Sequence, residues 1–180
     1  MLETFSTKGK GRLKGCYTLI PTPLGWLGVV AGGQGIIALL RGRDPSRLRR
    51  SLRRRYVFAL EKEEAVLHQA RRFLENYFKG RTVAPPHIDL SSKSSFQKRV
   101  LYQVKKIPYG KIRTYDWIAK RIRSHSGARA CGQALHQNPL PLFVPCHRVI
   151  RKSGEWGGFI WGKRIKGRLL RLETRKEKSK

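Results

Sequence analysis

The sequence predicts an α/β protein built as two units: a small antiparallel sheet with a packed helix, then a mainly helical unit. Three observations carry this. An uncharged N-terminal stretch is cut up by turn residues, a run of apolar residues at helical spacing follows it, and a Pro- and Ser-rich break precedes a second series of short helical patterns. With 180 residues, 39% of them apolar, the chain has material for one domain or two small ones.

Gly15 to Leu40 holds no charged residue, so a membrane span or signal sequence has to be weighed first. Pro21, Pro23, Gly25, Gly28 and the GGQG of residues 32–35 divide it into CYTLI, WLGVVA and IIALL, each of strand length and joined by turn chemistry. That punctuation predicts strands and argues against a span. LKGC at 13–16 resembles a lipoprotein cleavage box, but Lys8, Lys10, Arg12 and Lys14 stand where an apolar segment is required. RRSLRRR at 49–55 reads as a solvated face that adds to the positive field. From Glu61 to Lys79, Val66, Leu67, Ala70, Phe73, Leu74, Tyr77 and Phe78 recur at helical spacing, with Gly80 as terminator; this predicts an amphipathic helix on the sheet. RTVAPPHIDLSSKSS then loses periodicity. The expected boundaries are an N-terminal α/β unit over 1–85, a linker over 86–95, a second unit over 96–174 and a basic tail over 175–180.

In the second unit, Phe96, Val100, Leu101 and Val104 form one face of a helix that stops at IPYGK. Thr114 is placed to cap YDWIAKRI, with Trp117, Ile118 and Ile122 inward; SHSG breaks that helix. ARACGQALH makes a third, ending at Asn138-Pro139. Two short helices about a Gly-containing turn in a basic chain suggest a helix-turn-helix.

Forty Lys plus Arg against 11 Asp plus Glu give a net charge of +29. A charge of that size favours nucleic acid as partner, with an anionic membrane surface as rival and mere solubility or thermostability as the bland alternative. Cys16, Cys131 and Cys146 form no CxxC pair and are odd in number, which predicts reduced thiols in an intracellular protein. The five histidines show no ligand spacing, so no metal site is expected. In PLFVPCHRVI, residues 141–150, Cys146 stands beside His147 in an apolar run. On residues alone it is either an inert core thiol or a nucleophile.

NPLPLFVPCHRVI, joined to ARACGQALHQNP just upstream, resembles the active-site stretch of the O6-alkylguanine-DNA alkyltransferases, whose mark is Pro-Cys-His-Arg followed by an apolar pair. The likeness runs from about Phe96 to Glu173, and the N-terminal strands and helix are similar in order to that family's small RNase H-like domain. The resemblance implies Cys146 as acceptor nucleophile, His147 and Glu173 as the pair that activates it, and Asn138 as the hinge before the active-site stretch. It implies Tyr115 and Arg129 as DNA-handling residues, the arginine entering the base stack and the tyrosine donating a proton to the leaving guanine. It places a recognition helix at about Gly127 to His136 in the minor groove, with Ala128, Gly132 and Gln133 among its DNA-facing positions. Pro145, Phe159, Ile160 and Trp161 would line the alkyl pocket. The activity so implied is DNA repair by irreversible, single-turnover transfer from O6-alkylguanine in double-stranded DNA, with O4-alkylthymine the further candidate. No cofactor, no membrane, a monomer, and a cytoplasmic, nucleoid-associated location in a prokaryote go with it.

Chemistry makes these roles sensible. In-line displacement at an alkyl carbon calls for a thiolate, and the thioether formed has no good leaving group, so each molecule acts once. If residues 143–149 are extended, Cys146 and His147 point to opposite faces; a bridging water then links them, with Glu173 orienting the imidazole. Extruding the nucleotide costs a few kcal/mol, partly offset by inserting Arg129. One departure from the family pattern matters: Ile160 and Trp161 stand where small residues are usual. They are expected to admit methyl and disfavour benzyl adducts unless Trp161 points outward. Two other readings are an alkyltransferase-like protein that binds lesions without transfer, against which the presence of Cys146 counts, and a turnover cysteine hydrolase, for which no oxyanion-hole motif is apparent.

Overall fold

A computed structural model describes residues 14–60, 65–81, 83–124 and 127–177. Strands β1 (Lys14–Thr22), β2 (Gly25–Gly32) and β3 (Gly35–Gly42) form the expected antiparallel meander. Gly25 makes the first turn at φ +99°, where a Cβ would lie 2.8 Å from the Gly42 carbonyl oxygen, so both backbone conformation and space require glycine. Helix α1 (Pro45–Arg55) and strand β4 (Val57–Leu60) follow, and β4 joins the open edge of β1 in parallel, giving the order β3-β2-β1-β4. The sequence predicts no strand there, since four residues between a basic run and an acidic one show no alternation.

The sheet has two apolar faces because successive side chains point opposite ways. Tyr17, Leu19, Val30 and Ala38 pack with Leu48 and Leu52 of α1. Cys16, Ile20, Leu27 and Val29 face helix α2 (Ala65–Phe78), whose Leu67, Ala70, Leu74 and Tyr77 are buried. Residues 61–64 of the expected helix lie outside the described residues. RRSLRRR falls on α1 and is a solvated face, seated by Leu48 and Leu52.

The segment after α2 has no helix, yet it does not hang free. Ile36 donates its N–H to the His87 carbonyl at 2.9 Å, Asp89 donates to Ile36 at 2.8 Å, and Ile88 and Leu90 are buried. Thus part of the expected linker is stitched to β3.

The second unit comprises α3 (Ser95–Lys105), β5 (Arg113–Thr114), α4 (Tyr115–Arg121), α5 (Gly127–His136), a 3-10 turn at Cys146–Arg148, β6 (Val149–Ile150) and α6 (Lys163–Glu177). Ser94 and Gln97 form a capping box on α3, and Thr114 Oγ1 accepts from Trp117 N–H at 3.1 Å, the cap expected for α4. Val100, Leu101, Val104 and Ile118 are fully buried, in one continuous core with Leu67 and Leu74 of the first unit. Helix α6 runs on to Glu177, so residues 175–177 of the expected basic tail have helical backbone. Its signal was Ile165, Leu169 and Leu172 at i, i+4 and i+7, masked by the many bases between them. Among the described residues no helix is long and apolar enough to cross a membrane.

Candidate active site

Cys146 is fixed from three directions. The approach folds on itself, with Val144 N–H donating to Leu140 at 2.8 Å and Cys146 N–H to Val144 at 2.7 Å. Arg148 N–H then donates to the Pro145 carbonyl at 2.9 Å and closes the 3-10 turn. Residues 146–148 are therefore not extended, which corrects the strand geometry expected from the sequence: Pro145 has no N–H to give a ladder, and its carbonyl is spent inside the turn. The two side chains still diverge. Cys146 faces a cavity of about 860 Å³, whereas His147 is fully buried against Tyr77 and Phe159.

The two-residue parallel pairing of β5 with β6, Arg113 with Val149 and Thr114 with Ile150, brings the start of α4 beside the turn. Tyr115, the first residue of α4, thereby lines the cavity, as do Ala128, Arg129, Gly132 and Gln133 of α5. Gly157 at φ +65° is the close neighbour of the phenol, for a Cβ there would sit 3.0 Å from Tyr115 Oη. Phe159 also lines the cavity. Pro145, Ile160 and Trp161, expected at the alkyl pocket, are not among the lining residues. Pro145 is buried behind the turn, and the Trp161 ring packs edge-on to Phe159 with centroids 5.7 Å apart.

Asn138 has no exposed surface, and its polar atoms are used. Its Nδ2 donates to the Val144 carbonyl at 3.0 Å and to Cys146 Sγ at 3.1 Å, while Oδ1 accepts from Leu140 N–H at 3.0 Å. It braces the folded approach and supplies a donor to the sulfur. Burial pushes the thiol up to about 11, against the downward pull of Asn138 and the Lys166 charge.

Behind the turn lies a buried charge network centred on Glu173, which is 1% exposed. Glu173 Oε1 is 2.8 Å from His147 Nε2 and accepts from Tyr77 Oη at 2.7 Å. Arg148 donates from Nε and its terminal nitrogen, both at 2.9 Å, to the two carboxylate oxygens, and Gly110 N–H donates to Oε2 at 3.0 Å. Burial alone would raise this carboxyl, but the His147 hydrogen bond and Arg148 take it down to about 2. Burial also lowers His147, which outweighs Glu173, so the imidazole is neutral at pH 7 and Arg148 is the countercharge of the carboxylate. An ionised carboxylate only accepts; the proton of neutral His147 thus belongs on Nε2 and the lone pair on Nδ1. Among the described residues no group hydrogen-bonds Nδ1.

The structure places Cys146, Tyr115 and Arg129 at the cavity, Asn138 against the Cys146 sulfur and His147 with Glu173 behind the turn; Tyr77, Arg148 and Lys166 are site residues that the sequence did not single out. Lys166 is fully buried, donates to the Val149 carbonyl at 2.5 Å, and is pulled down to about 8 by burial. Arg148 was in plain view within Pro-Cys-His-Arg, and Lys166 sits one residue after Ile165 and seven before Glu173, two helical turns away on the same side of α6.

Fold and site together define a two-unit thiol protein in which one buried cysteine opens onto a cavity bordered by a pair of short helices. Residues 16–89 match the ribonuclease-like domain of 6-O-methylguanine DNA methyltransferase and residues 95–175 match its DNA binding domain. The chain belongs to the 6-O-methylguanine DNA methyltransferase family. A methylated-DNA–protein-cysteine methyltransferase of Archaeoglobus fulgidus is 47% identical over 108 residues, covering 57% of this chain and 71% of its own. One of Bacillus subtilis, described as constitutive, is 42% identical over 123 residues, covering 66% and 73%. The crystal structure of Mycobacterium tuberculosis OGT in complex with DNA superposes with a TM-score of 0.73 at 32% identity, covering 88% of this chain and 92% of that one.

Proposed function

We propose that Cys146 is the acceptor through which this chain repairs DNA, taking the alkyl group of O6-alkylguanine irreversibly onto its own sulfur. One observation carries the assignment: Sγ faces the cavity while Asn138 donates to it and the His147–Glu173–Arg148 network stands directly behind it. The resting thiol at about 11 is protonated at neutral pH and protected from stray electrophiles. Attack requires its proton to leave. His147 Nδ1 takes it through a water, since the two side chains diverge, and Glu173 holds the imidazolium that forms. Asn138 Nδ2 and the Lys166 charge stabilise the thiolate.

The thiolate then attacks the alkyl carbon in line. A sulfur–carbon bond forms as the carbon–oxygen bond breaks, and the electron pair goes into the guanine ring, where the Tyr115 phenol delivers a proton; the proton held by His147 then returns through solvent to the phenolate, so both side chains end neutral. The thioether product has no route back, so one molecule repairs one lesion. DNA is the partner. α5 is the recognition helix, set in the minor groove, with Arg129 filling the place of a guanine rotated into the cavity; the protein acts as a monomer. The same reading divides the chain into a first unit over 1–85, a linker over 86–95 and a second unit over 96–174.

The test is mass spectrometry after mixing the protein with a duplex holding one O6-methylguanine. The expected result is a single added methyl on the Cys146 peptide, saturating at one per molecule and absent in Cys146→Ser. Tight binding with no methyl on the protein would support the lesion-binding reading instead.

A further inference from the structure

Helix α1 places six arginines, Arg47, Arg49, Arg50, Arg53, Arg54 and Arg55, in eleven residues with no acid among them. Leu48 and Leu52 turn inward and are buried against the sheet. With 100° between residues, Arg47, Arg50, Arg53 and Arg54 project from the opposite side, and all four are exposed. No ion pair to these four is formed among the described residues, and the Asp44 carboxylate is occupied as N-cap by the Arg47 backbone N–H at 2.7 Å. The ridge from Arg47 to Arg54 is about 10 Å long at 1.5 Å per residue. That is the axial rise of about three phosphates of one DNA strand.

We propose that this ridge is a second, sequence-independent DNA surface that grips the phosphates of a duplex segment other than the one served by the Cys146 cavity. Its position separates the two roles. α1 covers one face of the sheet, while α2 and the core of the helical unit cover the other, and no α1 residue lines the cavity. The residue type fits phosphate: every base on α1 is arginine, whose planar fork makes paired hydrogen bonds to phosphate oxygens. A membrane surface is the poorer partner. A basic amphipathic helix binds lipid by inserting its apolar face, and here that face, Leu48 and Leu52, is already spent on the sheet. Two DNA surfaces on one protein would let it pass from segment to segment without full release while it searches for damage.

The experiment compares the 180-residue chain with the triple variant Arg47→Gln, Arg50→Gln, Arg54→Gln and with a charge-retaining triple Lys variant, all checked for unchanged thermal unfolding. Bridging is read as energy transfer between donor- and acceptor-labelled undamaged duplexes, and affinity is followed against salt. Wild type is expected to bridge. The Gln variant should lose bridging and about 2 to 3 from the slope of log K against log salt, at about 0.9 per phosphate, whereas the Lys variant should keep the slope and lose only part of the bridging. The rate of methyl transfer from a short O6-methylguanine duplex should be the same in all three, which separates failure of this inference from failure of the transfer chemistry. Absence of bridging by wild type, an unchanged salt slope in the Gln variant, or loss of binding only to vesicles of anionic lipid would each overturn the proposal.

Discussion

Tyr77, on α2 of the first unit, donates its phenolic proton to Glu173, on α6 of the second, at 2.7 Å, and the same hydroxyl lies 3.3 Å from His147 Nε2. The sheet-and-helix unit thus reaches into the charge network behind the Cys146 turn. Removing only that oxygen, by Tyr77→Phe, leaves Glu173 with His147, Arg148 and Gly110 but frees the imidazole to tilt. A loss of roughly 1 kcal/mol in stability is expected. Methyl transfer should slow severalfold at neutral pH with DNA affinity unchanged, and the pH profile of the rate should move. An unaltered profile would reduce Tyr77 to a packing residue.

Arg148 is the countercharge of a buried carboxylate, so deleting it is costlier than deleting a surface arginine. Arg148→Met leaves Glu173 ionised without its main cation, at a cost of roughly 3–5 kcal/mol. Arg148→Lys should recover only part of this, because a single ammonium cannot span both oxygens as the guanidinium does. Urea unfolding of the three proteins orders them directly.

Acid should unfold the protein in two overlapping stages. His147 is lowered in the folded state, so the stability it contributes is complete above its unfolded value of 6.5 and falls away as pH drops below it. Glu173 falls from 4.5 to about 2 on folding; its contribution, of order 3 kcal/mol, is present above 4.5 and lost as pH falls toward 2. Unfolding midpoints measured from pH 8 to 3 should decline with these two slopes. In Glu173→Gln the lower slope should flatten.

Gly157 keeps the Tyr115 hydroxyl where it is. A methyl at that position meets Oη at 3.0 Å and adopts a φ of +65° that alanine resists. Gly157→Ala should slow transfer about tenfold or more while binding to undamaged duplex changes little. A transfer rate equal to wild type would show that Tyr115 is not positioned from this side.

The alkyl range follows from where Trp161 lies. Because it packs on Phe159 and neither it nor Ile160 lines the cavity, the steric ground for excluding large groups is removed. Benzylated guanine should inactivate the protein at a rate comparable to methylated guanine, and Trp161→Gly should change the ratio by less than about threefold. A benzyl rate a hundredfold lower, restored by Trp161→Gly, would return the indole to the pocket wall.

The sequence by itself determined the meander, the amphipathic α2, the Thr114 cap that starts α4, the α4–α5 pair and the cysteine in Pro-Cys-His-Arg. Each is written in neighbouring residues: turn formers at strand ends, apolar spacing along a helix, a hydroxyl one residue before a helix. Tertiary structure alone decided the rest. β4 exists because β1 has an open edge beside it, and the 3-10 turn at Cys146 exists because the approach loop folds back on Leu140. Beyond the His147 pairing that the family resemblance implied, Glu173 draws partners from residues 77, 110 and 148. Among forty basic residues, only the fold reveals which one is desolvated beside that carboxylate, since a charge costs free energy only where water is excluded, and exclusion is a property of the packed whole.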